Sequence, residues 1–314
     1  MNIMKNTPDL APRFLPPEGW EEDYFNNPKT GHKIRYGYVL PKTPAKAAVV
    51  CLGGLSEFAE KYFETARDML ERGFSFWTMD WKYQGLSKRH DVNVHKRHSD
   101  GYEQDILDLD HFVTQIVRPE TKAPLLLLGH SMGGNIGLRY LSRTPGTFKA
   151  AAFSAPMLGI KALDPYGPLA NLLLFLLRPF YDSYVPGGKD WHEEMRTSRK
   201  TDIFSSDPVR KEVHNAWCLA RPDLQVGNPT LGWVRESMKS CRALQQDGAL
   251  EKIDIPVLLA CAGKDTLVSN ALIRRAAQHI PQAVLLELPG AYHEILMERD
   301  SLRGVFLKGF DKIL

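Results

Sequence analysis

The sequence is poor in cysteine. Its 314 residues hold four, Cys51, Cys218, Cys241 and Cys261, with no Cys-x-x-Cys pair among them. That scatter argues against a disulfide-stapled framework and reads as small core residues in a reducing compartment. Long hydrophobic runs are missing too: no stretch approaches the ~20 apolar residues of a membrane span. Met1 to Trp20 carries prolines and charges but no apolar core segment, so no secretory signal is expected and the predicted location is cytoplasmic. A large surplus of charge of one sign is also missing. A net charge of +3 is too small to argue for nucleic acid, although it is compatible with transient contact with an anionic membrane surface. There is no internal repeat, phosphate loop or nucleotide fingerprint, and no cofactor or metal is expected.

What is present is an ordinary globular composition, 43% hydrophobic and 25% charged, in a chain long enough for a sizeable core. The first thirty residues, rich in proline, asparagine and acids, read as a loose lead-in. Lys33 to Leu40 alternates as an antiparallel edge hairpin would. Ala47 to Leu52 is a continuous apolar run, as in a strand buried on both faces. Tyr62, Ala66, Met69 and Leu70 then share a helical face that Gly73 can end. Phe74 to Met79 reads as strand, Tyr102 to Ile116 as amphipathic helix, Pro124 to Gly129 as strand, and Ala150 to Phe153 as strand again. Strand and helix in alternation predict an α/β architecture, a mostly parallel sheet covered by helices on both faces. The alternation stops between residues 159 and 243 and resumes at Ile255, which predicts a core of residues 31–158 and 244–314 with 159–243 inserted as a cap.

The strongest local signal is Gly129-His130-Ser131-Met132-Gly133, placed directly after the apolar run Leu125 to Leu128 and directly before a helical segment. A Gly-x-Ser-x-Gly in that setting is a nucleophile elbow: Gly129 and Gly133 leave room for a turn that lifts Ser131 clear of the sheet. The helix behind it turns its unpaired N–H groups and positive dipole end toward a developing oxyanion. A serine hydroxyl needs a base and an orienting carboxylate. Asp265 follows the strand ending at Cys261, and His293 follows the strand ending at Leu288, so the order is serine, acid, histidine on one edge of the sheet. The expected oxyanion donors are the backbone N–H groups of Met132, next to the nucleophile, and of Leu55, in the loop opened by Gly53-Gly54. His130 is expected to turn away from the substrate and Glu294 to point outward. His90, His95 and His98 fall in a basic loop without ligand spacing and read as solvated rather than metal-binding.

With these residues placed, the chain resembles the α/β-hydrolases of the monoacylglycerol lipase and lysophospholipase group, the serine aminopeptidase type. Gly129-His130-Ser131-Met132-Gly133-Gly134 matches that family's elbow in full, and Asp265 and His293 fall in its loops. Gly53-Gly54-Leu55-Ser56-Glu57-Phe58 stands where the family has His-Gly-x-x-Glu-His, with both histidines replaced. Asp80-Trp81-Lys82-Tyr83-Gln84-Gly85-Leu86-Ser87 departs from Asp-x-Arg-Gly-x-Gly-x-Ser at Lys82 and Tyr83. In the insertion, Ser205 to Arg210 and Arg221 to Thr230 resemble the bacterial lysophospholipase L2-like branch.

The resemblance implies a serine carboxylic-ester hydrolase acting through an acyl-enzyme on a single-chain acyl lipid, lysophospholipid or monoacylglycerol, with a small-molecule ester as its partner. Rival readings are a small-ester esterase, an amidase or aminopeptidase, which would need a carboxylate pair such as Glu193-Glu194 to hold an amine, and a non-catalytic receptor on the same scaffold. Leu169 to Phe180 could offer an acyl channel or a membrane patch; the unbroken run Leu172 to Leu177 better suits the buried face of a cap helix.

Overall fold

The computed structural model describes residues 7–197 and 203–314. Eight strands form one sheet in the order β1-β2-β4-β3-β5-β6-β7-β8. They are β1 (Glu21–Asn26), β2 (Lys33–Val39), β3 (Ala48–Leu52), β4 (Ser75–Met79), β5 (Leu125–His130), β6 (Ala150–Ser154), β7 (Val257–Ala262) and β8 (Ala283–Leu288). β1 and β2 pair antiparallel, as do β2 and β4, and every pairing from β4 to β8 is parallel. β1 lies within the segment expected to be a loose lead-in, because Glu21–Asn26 supplies the second strand that the hairpin at β2 requires.

Parallel pairing needs crossovers, and helices supply them. They include α1 (Phe63–Glu71), α2 (Tyr102–His111), which continues through a π-type turn at Phe112–Val117 into α3 (Arg118–Glu120), and α4 (Met132–Leu141). Between β6 and β7 lie α5 (Gly167–Leu176), α6 (Glu194–Thr197), α7 (Arg210–Ala220) and α8 (Leu231–Leu244), with α9 (Asn270–His279) and α10 (Asp300–Lys312) closing the fold. β3, β4, β5, β6 and β7 are buried at every position. That explains why their sequences are mostly apolar, without a polar residue at every second position. A second, smaller core joins Phe14, Phe58 and Phe63 to Val213, Trp217 and Leu224, tying the N-terminal segment to α7.

The run from Leu172 to Leu177 departs from expectation. Only Leu174 in it is buried, while Leu172 is 54% and Leu176 63% exposed. The apolar run therefore faces outward. No helix among the described residues is long and apolar enough to cross a membrane.

Candidate active site

The C-terminal ends of β3, β5, β7 and β8 lie on one edge of the sheet, and the candidate residues sit in the loops that leave them. Ser131, between β5 and α4, takes φ 50° and ψ −114°. A non-glycine residue pays strain for positive φ, and such residues concentrate at functional turns. The flanking glycines make the turn feasible. A Cβ at Gly129 would lie 2.9 Å from Phe153 and 3.2 Å from the Gly134 Cα, and one at Gly133 would run into the carbonyl oxygens of Leu52 and Gly53.

The structure brings the three expected side chains into one hydrogen-bonded chain. Ser131 Oγ lies 2.9 Å from His293 Nε2, and His293 Nδ1 lies 2.6 Å from Asp265 Oδ2. The other carboxylate oxygen of Asp265 accepts the N–H groups of Leu267 at 2.7 Å and Val268 at 3.1 Å. Burial works to raise the pKa of Asp265, but His293 and these two amides outweigh it and hold the carboxyl below its ordinary value. An ionised Asp265 favours the tautomer with the proton on Nδ1, which leaves Nε2 as an acceptor for the Ser131 hydroxyl.

The loop after β3 presses on the elbow: a Cβ at Gly54 would come within 3.2 Å of Ser131 Cβ. The amides on both sides of Leu55 are committed, Gly54 N–H to the Glu57 carboxylate and Ser56 N–H to Gln84 Oε1 at 3.1 Å. Gln84 also donates to the carbonyls of Gly54 at 2.9 Å and Glu57 at 2.7 Å, so one amide side chain grips the loop from both directions. Leu55 lines the cavity beside Ser131. Met132 is the first residue of α4, where an N–H has no carbonyl one turn back.

Around this edge lies a buried charge cluster that the sequence did not announce. Glu57 accepts from Lys61 Nζ at 2.5 Å and from the Tyr62 hydroxyl, and Lys61 Nζ also reaches Glu294 at 2.7 Å. Glu294 pairs with Arg196 as well. Burial penalises both carboxylates, yet the charge of Lys61 and the hydrogen bonds from Lys61 and Tyr62 hold Glu57 far below the ordinary range, and Arg196 and Lys61 bring Glu294 down to about 2. Glu294 is thus buried, not outward. The reason is tertiary: its neighbour His293 must face Ser131, and two cations from separate elements receive the next side chain. His130 does not turn away either. Its ring stands 4.8 Å from that of His293 on the cavity wall, and its Nδ1 lies 3.0 Å from the Ser154 carbonyl oxygen. Burial holds it down at about 4, so it is neutral. The one sequence hint was Glu57 and Lys61 at i, i+4 spacing. Glu57, His130 and Glu294 place ligand-type atoms within 4.8 Å of one another, but Lys61 and Arg196 already supply the positive charge that such donors would seek.

The histidine loop is not simply solvated. His90 Nε2 lies 2.8 Å from Asp182 and His98 Nδ1 2.8 Å from the Thr230 hydroxyl, while Arg89 donates to the carbonyls of Asp223 and Gln225. The loop straps the core to Asp182, Asp223, Gln225 and Thr230. Glu193 and Glu194 are exposed and stand outside the cavity lining. Tyr83, where the related motif has glycine, takes φ 68°, and its hydroxyl bonds to Asp100 at 3.0 Å.

Ser131 and His293 open onto a cavity of about 370 Å³ whose walls include Met157, Ile160, Trp191, Phe204, Val226 and Trp233. The family model of the serine aminopeptidase, S33, type matches residues 43–300. The chain belongs to the serine aminopeptidase S33 family. This S33 chain is accordingly a serine hydrolase with the α/β-hydrolase fold. It is 30% identical to lysophospholipase L2 of Escherichia coli strain K12, over 83% of this chain and 78% of the relative. It is 25% identical to human monoglyceride lipase over 83% of this chain and 80% of that one. Among solved structures, a soluble variant of monoglyceride lipase from Saccharomyces cerevisiae aligns with TM-score 0.72 at 18% identity, covering 93% of the S33 chain and 94% of the other. A thermostable carboxyl esterase from Bacillus coagulans aligns with TM-score 0.73 at 17% identity, covering 95% and 99%. At that identity the two structures speak for the fold.

Proposed function

We propose that the chain hydrolyses carboxylic esters of single-chain acyl lipids, lysophospholipids or monoacylglycerols, through an acyl-enzyme on Ser131. The observation that carries this reading is the continuous hydrogen-bonded chain Ser131–His293–Asp265 opening onto an apolar cavity. His293 takes the hydroxyl proton as Oγ attacks the ester carbonyl, and Asp265 stabilises the imidazolium. The Leu55 and Met132 amides receive the oxyanion, each worth roughly 2.7 to 4 kcal/mol in the transition state. The leaving alcohol collects the proton from His293, and water repeats the sequence on the acyl-enzyme. Residues 159–243 act as the cap, and their Trp191, Met195, Phe204 and Val226 close the cavity over the elbow.

The outward apolar face of α5 is where this protein meets its lipid. Leu169, Leu172, Phe175, Leu176 and Phe180 are each more than half exposed, beside Arg178, which is also exposed. Apolar side chains with a flanking cation suit the boundary between acyl chains and headgroups. The four cysteines, all free and buried, suit a reducing compartment. An amidase reading is disfavoured because Glu193 and Glu194 are exposed and do not line the cavity.

The deciding assay compares the wild-type protein with Ser131→Ala on a monoacylglycerol, a lysophosphatidylcholine, p-nitrophenyl esters of several chain lengths and an aminoacyl anilide. Fatty acid released from a single-chain lipid, and lost in the variant, supports the reading. Cleavage of the anilide alone, or of no ester by folded protein, overturns it.

A further inference from the structure

One wall of the cavity carries nitrogen donors in place of hydrocarbon. Trp191 Nε1 and His214 Nδ1 are buried there without a hydrogen-bond partner among the described residues, and Arg196 lines the same cavity. His214 is 4% exposed, its ring is 4.8 Å from that of Phe58, and burial together with Arg196 and Lys61 keeps it uncharged. Buried N–H groups in native proteins are nearly always paired. An indole N–H can only donate, so its missing partner is an acceptor.

Arg196 adds charge to that requirement. Its guanidinium lies 4.0 Å above the Phe204 ring and gives one N–H to Glu294. A guanidinium has five N–H groups in a planar fork that matches phosphate oxygens. Glu294 keeps Lys61 as a second counter-charge, so Arg196 can turn toward a ligand without stranding the carboxylate. The same cavity lining includes Met157, Ile160, Val226 and Leu267, which offer apolar surface for an acyl chain.

We infer that Arg196, with Trp191 and His214, reads the phosphodiester of a lysophospholipid headgroup and sets the preference for that substrate over a neutral monoacylglycerol. The inference rests on the ester-hydrolase reading above and names its headgroup chemistry. A lysophospholipid brings anionic oxygens that match the indole N–H and the charge and fork of the guanidinium together, whereas the two hydroxyls of a monoacylglycerol bring no charge for Arg196. The Glu57 and Glu294 carboxylates in the same lining keep Lys61 as their cation.

The test measures kcat/KM for 1-palmitoyl lysophosphatidylcholine and for 1-palmitoylglycerol in the wild type, Arg196→Gln, Arg196→Lys and Trp191→Phe. The expected result is a ratio of lysophospholipid to monoacylglycerol activity that falls tenfold or more in Arg196→Gln, mainly through KM. It should fall several-fold in Trp191→Phe and recover in part in Arg196→Lys. Equal losses on both lipids would assign Arg196 to holding Glu294 and overturn the inference, as would an unchanged ratio. A wild type that cleaves only the monoacylglycerol overturns it while leaving the ester-hydrolase reading intact. A wild type that cleaves neither lipid removes both.

Discussion

Glu57 accepts the backbone N–H of Gly54, three residues before it, and so anchors the loop that carries Leu55 to the elbow from the inside. The same carboxylate is held by Lys61 and Tyr62, which makes the proposed oxyanion loop an extension of a buried ion cluster. Replacing Glu57 by Gln keeps the shape but weakens the acceptor and leaves Lys61 with Glu294 alone. Ester hydrolysis by Glu57→Gln is expected to lose kcat with little change in KM. The loss should stay below the roughly 10²- to 10³-fold effect of deleting one oxyanion donor. Steady-state kinetics on a p-nitrophenyl ester, with circular dichroism for folding, checks it.

Asp265→Asn tests the tautomer argument. Asparagine retains an oxygen for the Leu267 and Val268 amides, so the loop survives, but its NH₂ faces His293 Nδ1 and drives the proton to the wrong nitrogen. The expected fall in kcat is about 10⁴-fold. Activity within tenfold of wild type would remove Asp265 from the proposed mechanism.

The exposed face of α5 predicts a separation between lipid binding and chemistry. In Leu172→Ser/Leu176→Ser, affinity for anionic phospholipid vesicles should fall by about tenfold or more, since each side chain withdraws roughly 1.5 to 3 kcal/mol of apolar transfer. Hydrolysis of a water-soluble short-chain ester should be unchanged. Co-sedimentation alongside the ester assay separates the two.

Asp105 carries a pH-dependent cost. Burial pushes its carboxyl up to about 7, from an ordinary 3.8, against the opposing influence of Arg97. The folded protein therefore holds a proton that the unfolded chain releases. That contribution to stability is complete below pH 3.8 and disappears as pH rises to about 7. Asp105→Asn removes the titration. Its melting temperature relative to wild type should climb by a few degrees between mildly acidic and mildly alkaline buffer, and a constant difference in calorimetry would contradict the assignment.

The sheet and the serine, aspartate and histidine loops could be read from the chain because each rests on local rules. Leu125 to Leu128 is apolar throughout since β5 is covered on both faces. Gly129 and Gly133 are required by the turn between them, and Asp265 and His293 come directly after strands whose parallel course puts their ends on one edge. The charged ring of Glu57, Lys61, Glu294 and Arg196 obeys no such rule. Its members come from the loop after β3, the loop after β8 and α6, and which carboxylate meets which cation depends on how those segments pack. The same limit applies to the run Leu172 to Leu177. An apolar run states that a surface avoids water; which surface covers it is decided by the neighbouring elements, and here most of it was left facing outward. The sequence determined the strands of the parallel sheet and the order of the proposed catalytic groups along it, through periodicity and turn chemistry. The tertiary structure alone decided how the buried charges are balanced and what the cavity presents to a substrate, because Coulomb interactions and burial act between residues far apart in the chain.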